Sequence, residues 1–142
     1  MDTEGADTLG SISGAFIVNK ADFYGAICIS SHTSTVGDIL VDIIGNSGSE
    51  GGGVRVGSGS VNSIKGDFIG NHSDNDGGAL ISKGYIGSVQ GNFVGNKAQK
   101  GGGAIYNSFD SVGGIGAISG SFTDNVAVVD GGGAIYNGST HI

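Results

Sequence analysis

IGSVQGNFVGN, residues 86–96, decides the fold, because four other segments repeat its pattern in register without a gap. They are LGSISGAFIVN at 9–19, VGDILVDIIGN at 36–46, VNSIKGDFIGN at 61–71 and IGAISGSFTDN at 115–125. After each comes a polar stretch of variable length, then a second motif: YGAICI, GGGVRV, GGALIS and, twice, GGGAIYN. The equivalent residues Phe16, Ile43, Phe68, Phe93 and Phe122 are spaced by 27, 25, 25 and 29 residues. The longer last interval is accounted for by NSFDSVGG, which reads as a loop insertion. A period in the twenties is too short for a propeller blade, and no segment carries a 3.6-residue period. The pattern predicts an all-β fold, a parallel β-helix (β-solenoid) of about five coils of 25–29 residues. Coils start near residues 9, 36, 61, 86 and 115.

Composition agrees. Glycine supplies 31 of 142 residues, and proline and tryptophan are absent. Collagen is excluded because a triple helix needs a strict Gly-X-Y period with abundant proline. Helices are disfavoured, since each interior glycine costs about 1 kcal/mol relative to alanine. Leu, Ile, Val and Phe make up about 26 % of the chain, above the ~20 % at which chains fail to build a core. The formal charge of −7 makes nucleic acid and anionic membranes poor partners. Cys28 is alone, so no intramolecular disulfide follows from it. The acidic start lacks the apolar stretch of a signal peptide, and no run is long enough to span a bilayer as a helix. One solenoid domain over 1–142 is expected, as a piece of a longer protein.

In a stacked solenoid, equivalent residues lie ~4.8 Å apart and each repeat position becomes a ladder. Three columns are assigned to the core by strand alternation. The first is Ile12, Ile39, Ile64, Val89 and Ile118, and the third is the Phe16, Ile43, Phe68, Phe93 and Phe122 column. Between them stand Gly14, Val41, Gly66, Gly91 and Gly120. The second coil replaces glycine by Val41 where it replaces phenylalanine by Ile43, a volume exchange expected of two inward neighbours. A second inward ladder is Ile27, Val54, Leu80, Ile105 and Ile135. Asn19, Asn46, Asn71, Asn96 and Asn125 fall in the turn after the first strand. Asparagine tolerates left-handed backbone there and can hydrogen-bond from coil to coil. The glycines before Ala26, Ala79, Ala104 and Ala134 are expected to allow positive φ at another corner.

These motifs resemble the repeats of autotransporter passenger domains, particularly the polymorphic outer membrane protein type. That family is marked by Gly-Gly-Ala followed by Ile, Leu or Val, and by Phe-x-x-Asn. The first motif appears around Ala79, Ala104 and Ala134, and the second as Phe16–Asn19, Phe68–Asn71, Phe93–Asn96 and Phe122–Asn125. The second coil departs, with Ile43 for Phe and Gly53-Val54 for Ala-Ile. The resemblance implies a right-handed parallel β-helix, extracellular or on a bacterial cell surface, serving as an adhesin or rigid stalk without catalytic function. It implies a partner that is a host or neighbouring-cell surface protein or glycan. Right-handedness is also the general rule for parallel crossovers. With no polar cap evident at either end, end-to-end stacking of copies into a fibre is the alternative.

Any catalytic side chains of such a solenoid would stand on its outward positions. Ala15, Asp42, Asp67, Asn92 and Ser121 form one outward column, with Lys65 nearby. Asp42 and Asp67 on adjacent coils are the weak candidates for a carboxylate pair in a polysaccharide-acting enzyme. A solvated polar ladder is the preferred reading, because no long loop builds a cleft and no aromatic platform flanks the pair. Asp74-Asn75-Asp76-Gly77 lacks the remaining ligands of a calcium loop, and Glu50, Asp76 and Asp130 read as turn residues. His32, His72 and His141 are scattered, so neither a metal nor a cofactor is expected. Residues 57–60, Gly-Ser-Gly-Ser, read as a flexible turn. The binding surface is expected along Ile17, Ile44, Ile69 and Val94, followed by Thr123. It extends to Tyr106 and Tyr136 on a second outward column with Cys28, Arg55 and Ile81. Of the two glycosylation sequons, at Asn71 and Asn137, the first is discounted because a ladder asparagine is inaccessible.

Overall fold

The computed structural model describes residues 8–108 and 114–138. The inserted loop at 109–113, Ser139 of the second sequon and His141 lie outside the described residues. The first coil contributes β1 (Thr8–Ile17) and β2 (Ile27–Ile29). The second has β3 (Thr35–Ile44), β4 (Ser47–Gly48) and β5 (Val54–Val56), and the third β6 (Ser60–Ile69), β7 (His72–Ser73) and β8 (Leu80–Ser82). The fourth has β9 (Tyr85–Val94), β10 (Lys97–Ala98) and β11 (Ile105–Asn107). The fifth has β12 (Gly114–Ile115), β13 (Ile118–Thr123), β14 (Val126–Ala127) and β15 (Ile135–Asn137). No helix occurs among the described residues.

Every pairing is parallel and joins equivalent residues of successive coils, which makes the molecule a β-solenoid of about five turns. The broad face runs β1-β3-β6-β9 and ends on β12 and β13, both paired to β9. A second face runs β2-β5-β8-β11-β15. A third, narrow face runs β4-β7-β10-β14 and extends to the first coil through a bridge between Lys20 and Ser47. The sequence repeat marks the segments of the first two faces, as the eleven-residue pattern and the glycine-rich second motif. The third lies in what reads as a polar stretch, because two residues are too few to display alternation. Its inward residues are small: Gly48, Ser73 and Ala98 are buried.

The core fills the space between the faces. Ile39, Ile43, Ile64, Phe68, Val89 and Phe93 are fully buried from the broad face, facing Ile27, Val54, Leu80 and Ile105 from the second. The rings of Phe68, Phe93 and Phe122 stack with centroids 4.5 and 4.8 Å apart and planes within 4°. That separation is the coil rise itself, so repetition of the residue produces the stack.

The glycine column between these ladders has a different cause from the one its sequence suggests. Val41 is buried in the core. Gly66 and Gly120, however, have φ of +148° and +123°, and a Cβ on either would overlap the carbonyl oxygen of the preceding coil. Glycine is required there by backbone approach along the stack, and the exchange of volume with the phenylalanine column is secondary. Two corner assignments also shift by one residue. The left-handed residue after the broad strand precedes the asparagine: Val18, Gly45, Gly70, Gly95 and Asp124 have φ of 55–63°. Before the alanines, it is the second glycine back, such as Gly77 and Gly102, that carries positive φ. The glycine next to the alanine, such as Gly78 or Gly103, has no room for a Cβ against the next coil's carbonyl.

Candidate functional site

The asparagine column is structural in every contact it makes. From the second coil onward, each Oδ1 accepts both the backbone N–H and the side-chain amide of the asparagine one coil earlier. For Asn46 onto Asn71 these distances are 3.0 and 3.3 Å, and for Asn71 onto Asn96 they are 3.0 and 2.9 Å. Each Nδ2 also donates to the carbonyl at the Phe position of the preceding coil, as Asn71 does to Ile43 at 2.8 Å and Asn96 to Phe68 at 2.8 Å. Asn46, Asn71 and Asn96 are buried, so these bonds satisfy the backbone of a sharp turn away from water. The first sequon's asparagine is 1 % exposed.

The carboxylate pair considered for catalysis is a rung of a polar ladder. Asp42 Oδ1 accepts the backbone N–H of Asp67 at 3.1 Å, and Asp67 Oδ1 accepts the Asn92 amide at 2.8 Å. Asn92 Oδ1 in turn accepts the Ser121 hydroxyl at 2.7 Å. Lys65 exerts its charge on Asp38, whose carboxyl lies below its ordinary value. The main causes there are hydrogen bonds from the Ser63 hydroxyl (2.6 Å) and the Asn62 amide (2.8 Å), to which Lys65 adds.

The exposed aliphatic column is continuous. Ile17, Ile44, Ile69, Val94 and Thr123 are paired in register, with Ile17 56 % and Ile69 38 % exposed and Ile44 and Val94 half-buried. The other outward column differs from expectation. Ile81 is buried, beneath the corner glycines Gly51 and Gly77, and Cys28 is nearly so. Arg55 lies over the Tyr24 ring at 4.1 Å and bonds Glu50 at 3.2 Å, while Lys83 reaches the same carboxylate at 3.3 Å. Burial pushes the Glu50 carboxyl up, but Lys83 and Arg55 outweigh it and leave the group below its ordinary value. Tyr106 and Tyr136 stack at 4.9 Å and are half-buried. This column is thus largely covered by its own turns.

One concave feature escaped the sequence reading. The turns that lead back to the broad strand, at 32–35, 57–60 and 83–85, line a groove of about 600 Å³. It gathers His32 and the Gly-Ser-Gly-Ser segment, read separately as solvated loop and flexible turn. Only stacking brings positions this far apart in the chain together. The sole available signal was the unequal length of the three turns.

With this geometry in hand, the chain can be placed. Residues 91–108 and 119–138 match the Chlamydia polymorphic membrane protein (Chlamydia_PMP) repeat. Over these residues the chain is similar to polymorphic membrane protein repeats. The matched segments span the Phe93 and Phe122 rungs, the Asn96 and Asn125 rungs and the glycine corners before Ala104 and Ala134. These are the residues that make the solenoid, so the match and the fold rest on the same contacts. Polymorphic membrane proteins are surface-associated proteins of the Chlamydia outer membrane, and theirs is not an enzyme family. No curated protein and no solved structure matches the chain.

Proposed function

We propose that this chain is a non-catalytic passenger segment displayed at a bacterial cell surface, where it serves as a rigid adhesive stalk. The observation that carries the reading is the column from Ile17 to Thr123, paired in register along the coil stack and uncovered at Ile17 and Ile69. A stack of this kind presents side chains at ~4.8 Å intervals on a surface that does not deform, which suits a partner of matching shape. The polymorphic membrane protein repeat supports surface display.

The test is binding of the purified chain to cultured host cells, compared with a variant carrying Ile17→Asp and Ile69→Asp. Both positions point to solvent, so the variant retains its fold by circular dichroism and loses most of its cell binding. Undiminished binding would remove the column from the reading. Cleavage of any member of a broad glycan panel, abolished by Asp67→Asn, would replace the stalk by an enzyme.

A further inference from the structure

We infer that the corner groove over the first three coils is a binding site for a short, uncharged glycan terminus. The groove lies apart from the exposed aliphatic column and goes beyond the stalk reading. Its shape follows from turn length: five residues separate β2 from β3, three separate β5 from β6, and two separate β8 from β9. The longest turn rises beside the two shorter ones, whose glycines form the floor. A Cβ on Gly59 would come 2.6 Å from the carbonyl oxygens of Ser31 and Ser34, and one on Gly84 2.8 Å from that of Gly59. Coil stacking therefore keeps the floor free of side chains. The resulting volume, about 600 Å³, falls among small-ligand pockets, which run roughly 300–1,000 Å³.

The available chemistry narrows the ligand. Backbone N–H groups along the floor already donate within the stack: Gly57 to Ile29 (2.7 Å), Ser60 to Ser34 (3.0 Å), Lys83 to Val56 (2.7 Å) and Tyr85 to Gly59 (3.1 Å). These occupied donors disfavour a peptide adding as a strand, since that mode needs unpaired backbone groups. What faces the groove are side chains that both donate and accept. The His32 ring, the Thr35 and Ser60 hydroxyls and the Tyr85 phenol make no hydrogen bond to another described residue. Ser34, 2 % exposed, adds a buried hydroxyl without a partner in the wall.

Hydroxyl-rich ligands match such groups one for one. The Tyr85 ring, 47 % exposed, supplies an apolar face for the C–H side of a sugar. Charge argues against sulfated or otherwise anionic glycans. The Lys83 ammonium is held by Glu50, and the chain as a whole carries −7.

The experiment is a titration of the ¹⁵N-labelled chain with lactose, N,N′-diacetylchitobiose and mannobiose, alongside a heparin-derived disaccharide. At least one neutral disaccharide is expected to shift the Ser60, Gly84 and Tyr85 amides saturably. Tyr85→Ala should weaken its Kd roughly tenfold, and Tyr85→Phe should weaken it less. Thr35→Val, nearly isosteric and exposed, gives a second reading if Tyr85→Ala perturbs the fold. The proposal is overturned if no neutral disaccharide shifts those amides, if only the sulfated one does, or if the shifts map to the Ile17–Thr123 column. It also fails if Tyr85→Ala with an intact spectrum, or Thr35→Val, leaves the affinity unchanged. These readouts need no cells, so a negative cell-binding assay leaves them standing and a negative titration leaves the stalk standing.

Discussion

Glycines at two kinds of position show how differently one residue type is used. A Cβ on Gly91 would overlap the Gly66 carbonyl oxygen, which sits directly beneath it in the stack. Gly70, with φ +62°, has nothing within 4 Å of a Cβ, and Val18 and Asp124 occupy the same corner in other coils. Gly70→Ala is therefore expected to cost only the ordinary left-handed penalty, about 1–2 kcal/mol. Gly91→Ala must spread two coils and is expected to cost about 1 kcal/mol more than that. Urea unfolding of the two variants measures the difference, and equal losses would mean that close approach does not govern the column. The phenylalanine and asparagine rungs were legible because four of the five coils repeat the first and all five the second. The placement of the left-handed residue was not, because glycine and asparagine both tolerate that conformation and here stand side by side.

Among the elements, the turn of the second coil is tied to its neighbours by charge. Glu50 accepts from Arg55 on β5 and from Lys83 in the turn before β9. Its carboxyl is held below the ordinary value of 4.5, so its ion pairs stabilise the fold above that pH and are lost as the pH falls through the lowered value. Thermal melting from neutral to strongly acidic pH should show a loss below about 4.5 that Glu50→Gln diminishes. The variant should also melt lower than the parent at pH 7, and an unchanged acid limb would dissociate Glu50 from the effect. This turn network was illegible in sequence: Tyr24 and Glu50 stand at equivalent, bridged positions, but they differ in chemistry, and no repeat pattern links Arg55 and Lys83 to them. The narrow third face was equally hidden, its two-residue strands being shorter than any pattern that could announce them.

Across the whole molecule, stability is a property of neighbouring coils, as in other solenoids. The core residues of β3, β6 and β9 are buried between two coils each, whereas Ile12 and Phe16 of β1 and Ile118 and Phe122 of β13 are only partly covered. Amide exchange should be slowest in β3, β6 and β9, and measurably faster in β1 and β13, by about tenfold for each 1.4 kcal/mol of difference in opening energy. Uniform protection would show instead that the stack opens as one unit. The groove belongs to this scale too. Three turns of different length meet at one corner only because the coils are in register.

By itself the sequence determined the coil: its period, its parallel stacking, the inward ladders and the asparagine rungs. Each of these is a local contact copied at every turn, so one-dimensional repetition is enough to reveal it. The tertiary structure decided which outward residues stay in contact with solvent. It buried Ile81 under the corner glycines, left Ile17 and Ile69 uncovered, and brought His32, Ser60 and Tyr85 to one concavity. Those outcomes depend on where the non-repeating turns fold, and turns that differ from coil to coil leave no period to read.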